Sequence, residues 1–210
     1  MTAQDGLLIV VSAPSGAGKT SLVAALLQHD PRLRVSISHT TRARRGTERH
    51  GHEYYFVDPS RFEQMVEDGA FLEHAVVFGN RYGTSHESVQ REIESGHDVI
   101  LEIDWQGAKQ IRARFDGAIT IFILPPSRAT LIERLRKRGL DDDAVIAERT
   151  RKAVEEMSHY REYDYLVVND DFATAVADLA AVIRSERLKA PRQTADHAAL
   201  LAELLKAPFS

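Results

Sequence analysis

The chain's most chemically loaded stretch begins at Ser12 and reads SAPSGAGKTS, directly after the apolar run LLIVV. Two glycines, a lysine and then two adjacent hydroxyl residues form a loop with few bulky side chains. Small residues let a backbone curl until successive N–H groups converge on one point, and a helix starting at the loop's end adds the positive pole of its dipole. That chemistry suits an anion, above all a phosphate. The stretch follows the pattern G-x-x-x-x-G-K-[ST] with Ala13 in place of the leading glycine. In this reading Ala13, Pro14, Ser15, Gly16, Ala17, Gly18 and Ser21 build the nucleotide cradle, Lys19 reaches the terminal phosphates, and the Thr20 hydroxyl is the metal contact for Mg²⁺. By itself the loop fits a kinase, a GTPase, a motor or a switch equally well.

Three further groups of residues offer chemistry. VILEIDWQG reads as a strand closed by two acids, with Glu102 expected on one face and Asp104 on the other. Ligands of parallel sheets sit at the carboxyl ends of the strands, so Asp104 is expected on the same rim as the loop, to hold Mg²⁺ waters or a substrate base. The polar stretch VSISHTTRARRGTERHGHEYYFV gathers Ser38, Thr41, Arg42, Arg45 and Tyr54, a set of phosphate-type donors. In AFLEHAVVF, Glu73 stands among Phe71, Leu72, Val76 and Val77, as either a solvated strand-edge acid or a directed acceptor. Arg134 and Arg138 are four apart and share one helical face, which either meets solvent or turns inward over a phosphate.

Something must hold these groups together. The runs LLIVV, LRVSI, DVILEI, ITIFIL and YLVVN are continuously apolar, as strands covered on both faces are, and amphipathic stretches such as TSLVAALLQH, SHESVQREIESG and FATAVADLAAVIRSERL separate most of them. This predicts an α/β protein: a P-loop NTPase-type parallel sheet flanked by helices. Two segments interrupt the rhythm, a polar one and a charged helical one. The expected division is a core of residues 1–38, 88–126 and 160–210, an excursion at 39–87 and a helical lid at 127–159. The tail PRQTADHAALLAELLKA reads as one last amphipathic helix.

The 210 residues suffice for one core with excursions. A net charge of −4 argues against bulk nucleic-acid binding, and the absence of cysteine excludes disulfides and thiolate chemistry. The N-terminus lacks a basic leader and its apolar run is too short to span a membrane, so a cytoplasmic protein with no membrane partner is expected. A homo-oligomer is left open.

Taken in order, APSGAGKT, SHTTRARRG, GHEYYFV, FLEHAVVFGNRYGTS, LEIDWQGA, FILPPS and YDYLVVNDD resemble the guanylate kinases over nearly the whole chain. The resemblance implies ATP and GMP (with dGMP) as partners, Mg²⁺ with the ATP, and in-line phosphoryl transfer. It implies that 39–87 is the GMP-binding region, with Ser38, Arg42, Arg45, Tyr54 and Tyr82 around GMP and Glu73, Thr84 and Asp104 facing guanine. It also implies catalytic roles for Lys19, Arg42, Arg134, Arg138 and Arg149, and a place for Asn169 at the ATP end. Arg44 and Thr47 stand where the family more often has proline and glycine. Scaffold modules of this fold that bind without turnover, and kinases for another monophosphate, are the rival readings. The intact Lys19, Arg42 and Arg45 favour the enzyme.

Overall fold

The computed structural model describes residues 6–137 and 143–206. Five parallel strands form the main sheet: β1 (Leu8–Ser12), β2 (Leu33–Val35), β7 (Asp98–Glu102), β8 (Ile119–Leu124) and β9 (Tyr165–Val168), in the order β2-β7-β1-β8-β9. Both sheet faces are covered, which accounts for the unbroken apolar runs. Leu7, Ile9 and Val11 pack with Leu22, Val23 and Leu26 of α1 (Lys19–His29) and Leu179 and Ile183 of α7 (Phe172–Arg187). Leu8 and Val10 face the other way, against Val89 of α3 (His86–Glu94) and Ala108 and Ile111 of α4 (Trp105–Arg114). Away from the carboxyl rim, Arg187 bridges Asp30 and Asp98 at 2.6 Å each, and Asp98 also accepts from the Leu7 N–H.

The polar excursion has more order than its composition suggests. It folds into a second sheet, β4-β3-β6-β5, from β3 (His39–Thr40), β4 (Tyr55–Phe56), β5 (Phe71–Val77) and β6 (Asn80–Ser85), with α2 (Pro59–Glu67) beside it. The β5–β6 hairpin is antiparallel and carries a register shift between Phe71 and Glu73. That bulge buries Leu72 and Glu73 in succession, where a regular strand would alternate. The charged helical segment contributes α5 (Arg128–Lys137) and α6 (Asp143–Ser158), then a 3₁₀ turn at His159–Glu162. The expected single tail helix is instead two, α8 (Ala190–Asp196) and α9 (Ala198–Leu204), meeting at His197 with φ −110°. Thr194, Asp196 and His197 are weak helix formers, and no residue of either helix is buried to override that preference.

Candidate active site

A cleft of about 570 Å³ runs along the carboxyl rim of the main sheet, between the second sheet and α6. One end of its floor is the loop after β1. Gly18 ends that loop at φ +96°, a left-handed conformation that disfavours any residue with a Cβ, and a Cβ there would lie 2.5 Å from Asn169 Nδ2. Helix α1 starts immediately afterwards, with no side-chain cap and no acid in its first turn. Its first amides are therefore free of competing side chains, and its dipole points into the cleft. Lys19 lies on the same floor, its Nζ 3.3 Å from the Ile103 carbonyl oxygen. Burial lowers the Lys19 pKa, opposed by the charges of Glu102, Asp104, Glu156 and Glu73.

Of the nucleotide-loop residues, Ala13, Pro14, Ser15, Gly16, Gly18, Lys19 and Thr20 line the cleft. Ala17 is buried behind it and Ser21 faces outward at the start of α1. Asn169 also lies behind the loop, with its Nδ2 donating to the Ala17 carbonyl at 2.7 Å.

Arg134 occupies a different place from the one its spacing suggests. Its guanidinium donates to the carbonyls of Ala17 at 3.3 Å and Asn169 at 3.1 Å, so it braces the loop from outside the transfer region. These two backbone acceptors, brought together by the loop and the end of β9, compete successfully for a donor-only side chain. Arg138 lies outside the described residues. Among the described residues of this helical segment, the arginine that lines the cleft is Arg149 on α6.

The two strand-end acids also need correction. Glu102 and Asp104 are two residues apart, a spacing of equal parity, and both line the cleft. Glu102 Oε2 accepts from Thr20 Oγ1 at 3.2 Å. Asp104 caps α4, accepting from the Gly107 N–H at 3.0 Å and from Gln106 Nε2 at 2.9 Å. Thr20 and Glu102 thus set two hard oxygens side by side at the phosphate end. Among the described residues no cluster of three or more His, Asp and Glu side chains forms a metal cage. This donor set fits Mg²⁺, which binds through one or two protein oxygens plus phosphates and water. Glu102, expected on the face opposite Asp104, instead shares the cleft with it, and its contact with Thr20 spans 82 residues and so has no local signature.

At the opposite end the cleft is lined by Ser38, Arg42, Arg45, Tyr54, Tyr82, Glu73 and Asp104. The Arg42 guanidinium is held by Glu48 at 2.7 Å and by the Ala43 carbonyl at 2.8 Å, and lies over the Tyr54 and Phe56 rings. Glu48 also accepts from the Arg45 N–H at 2.8 Å, so one carboxylate organises both arginine positions. Burial raises the Tyr54 pKa, which keeps its hydroxyl a donor.

Glu73 is 3% exposed and accepts from Thr84 Oγ1 at 2.5 Å; Thr84 is fully buried behind it. Burial pushes the Glu73 carboxyl up to about 7, with Thr84 opposing the shift. The expected apolar surroundings are only partly correct, since Val76 is 59% exposed. What shields Glu73 is the start of α4: a Cβ on Gly107 would meet Glu73 Oε2 at 2.4 Å and Ile103 Cδ1 at 3.2 Å. Gly107 therefore lets a carboxylate press against a helix. Gly107→Ala should gain helix propensity yet displace Glu73, raising KM for the base-side ligand about tenfold with a smaller change in kcat. Steady-state titration of that ligand tests this; an unchanged KM would show that the carboxylate's position is not critical.

The β5–β6 turn and α6 meet across the cleft. Phe78, at φ +49° on the β5–β6 turn, packs its ring under the Lys152 ammonium of α6 at 4.5 Å. One turn further along α6, Glu156 accepts from the Ser15 N–H at 3.0 Å. Neither contact has a local signature, because each joins segments far apart in the chain.

Comparison with known proteins gives a consistent result. The family described as guanylate kinase matches residues 6–186. The guanylate kinase of Chromohalobacter salexigens is 56% identical over 200 residues, covering 95% of this chain and 93% of that protein. That of Escherichia coli strain K12 is 56% identical over 203 residues, covering 96% and 98%. The crystal structure of guanylate kinase from Anaplasma phagocytophilum superposes with a TM-score of 0.76 at 33% identity, covering 91% of this chain and 92% of that one.

Proposed function

The chain belongs to the guanylate kinase family, and from that premise we infer how its cleft carries out the ATP-dependent phosphorylation of GMP. The observation that carries this reading is the continuity of the cleft. Lys19 and the phosphate loop line one end, while Arg42, Arg45 and Glu73 line the other. A binding module without turnover would not need the half-buried lysine on the cleft floor.

At the base end, Glu73 offers two acceptor oxygens, which match the adjacent N1–H and N2 donors of guanine. Thr84 fixes the carboxylate's orientation. Asp104, held as the α4 cap beside it, limits how the base can sit. Arg42, Arg45, Ser38, Tyr54 and Tyr82 grip the GMP phosphate, with the arginines neutralising it in a preset fork. At the ATP end, loop amides and the start of α1 bind the phosphates and Lys19 offsets the charge that spreads during transfer. Thr20, with Glu102 beside it, would hold Mg²⁺, which when bound neutralises the β- and γ-phosphate oxygens.

The GMP phosphate oxygen is already anionic, since its second ionisation lies near pH 6, so no protein base is required. Attack on the γ-phosphorus forms one P–O bond as the bond to the β-phosphate oxygen breaks, yielding GDP and ADP. Residues 39–87 serve as the GMP-binding region and 127–159 as the lid, with Arg149 reaching the transferring group from the lid side. Closure of both segments excludes water, which would otherwise take the phosphoryl group. We place this chemistry in the cytoplasm, where ATP is the donor at hand. Among the described residues no helix is long and apolar enough to cross a membrane.

A coupled ADP-release assay offering GMP, dGMP, AMP, CMP and UMP tests the reading. ADP release is expected with GMP and dGMP. Absence of GMP-dependent release, or equal rates with all five, would overturn it.

A further inference from the structure

Glu156 has no role in the steps above, yet it sits at their centre. It projects from α6 into the cleft that Lys19, Gly16 and Gly18 line. Its Oε2 accepts from the backbone N–H of Ser15, 141 residues away, at 3.0 Å. The neighbouring Glu155, by contrast, is exposed and 3.7 Å from Arg151. An amide has one hydrogen to give. The N–H of a phosphate loop can serve the carboxylate or a phosphate oxygen, and two anions at one donor repel each other.

We propose that Glu156 is an internal anion that competes with the terminal phosphates of ATP for the phosphate loop, so that ATP binding displaces it and thereby moves the lid. The inference rests on the kinase reading and adds a positioning residue to it. Three observations agree. The carboxylate lies close enough to Lys19 for each to act electrostatically on the other. Burial pushes the Glu156 carboxyl up, as expected of a charge kept from water with only partial compensation. Lastly, Glu156 and Lys152 are four apart on one face of α6, and Lys152 holds Phe78 of the excursion. Displacing Glu156 therefore shifts the same helix that clasps the GMP side, which couples the two nucleotide sites mechanically.

Calorimetric titration of ATP with Mg²⁺, in the absence of GMP, tests this on wild type, Glu156→Gln, Glu156→Ala and Glu155→Gln. Removing a competitor that occupies most of the population raises apparent affinity by the inverse of the free fraction, so tightening of about three- to tenfold is expected for Glu156→Gln. It should be at least as large for Glu156→Ala, which removes the acceptor too. Glu155→Gln carries the same change in net charge and should leave ATP affinity within about twofold. A merely structural tether predicts the reverse, because releasing the loop would weaken ATP binding. Unchanged or weaker ATP binding in both Glu156 variants, or equal tightening in Glu155→Gln, overturns the proposal. GMP-dependent ADP release by the wild type is measured alongside: its absence sinks the kinase reading, while its presence without tightening sinks only the role of Glu156.

Discussion

Lys19→Met should lower kcat by about 10²- to 10³-fold, the scale seen when one preorganised charge partner of a developing anion is removed. Methionine keeps most of the unbranched stem, so packing on the cleft floor survives and the loss is electrostatic. Lys19 is held in place by a long contact to the Ile103 carbonyl. Among the described residues no carboxylate lies within ion-pair distance of it, so its charge is uncommitted and ready for phosphate. Burial already disfavours that charge, and removing it should not destabilise the fold. The expected pattern is a normal thermal midpoint, a modest rise in KM for ATP and a collapse of kcat, which marks an interaction made chiefly in the transition state. A folded variant with near-normal kcat would show that Lys19 plays no part in transfer.

Glu73→Gln should reduce the ratio of kcat/KM for GMP over AMP by about ten- to a hundredfold, the worth of a hydrogen bond to a charged group. The amide presents a donor where guanine presents donors, whereas Arg42 and Arg45 still hold the phosphate. Adenine offers an acceptor at N1 and no N2 amine, so the buried wild-type carboxylate facing it keeps only its Thr84 bond and gains no donor from the base. An unchanged ratio would mean that Glu73 does not read the base.

The same residue gives a pH signature. The Glu73 carboxyl ionises near 7 in the fold, against an ordinary 4.5. Below about pH 7 it becomes protonated and loses one acceptor, so kcat/KM for GMP should fall between pH 8 and 6. The variant should show only the milder fall caused by the monophosphate's own ionisation near 6. Stability moves the other way. The folded state binds this proton more tightly than the unfolded chain, so the contribution is fully present below pH 4.5 and is lost as pH rises through 7. At pH 8 the variant should therefore be the more stable protein, by on the order of 3 kcal/mol at most. That gap should close on acidification, as thermal unfolding at several pH values would show.

Much of this site was legible locally. The phosphate loop is encoded within ten residues because its function is a backbone conformation: glycine at left-handed φ, an apolar strand before it and an uncapped helix after it. The continuous apolar runs gave away a sheet covered on both faces, and Arg42 and Arg45 announced an anion by their type and spacing. The bulge that buries Glu73 was half visible, as an acid inside an apolar run. Only the tertiary structure decided which distant groups meet. It paired Thr20 with Glu102, set Gly107 beneath Glu73, seated Glu156 on the Ser15 amide and turned Arg134 onto the carbonyls of Ala17 and Asn169. It also made Asp104 a helix cap. Periodicity specifies the face of an element on which a side chain lies, and local propensity specifies the backbone beneath it. Neither specifies the element packed opposite, and for a charged or hydrogen-bonding group that opposite partner determines its role.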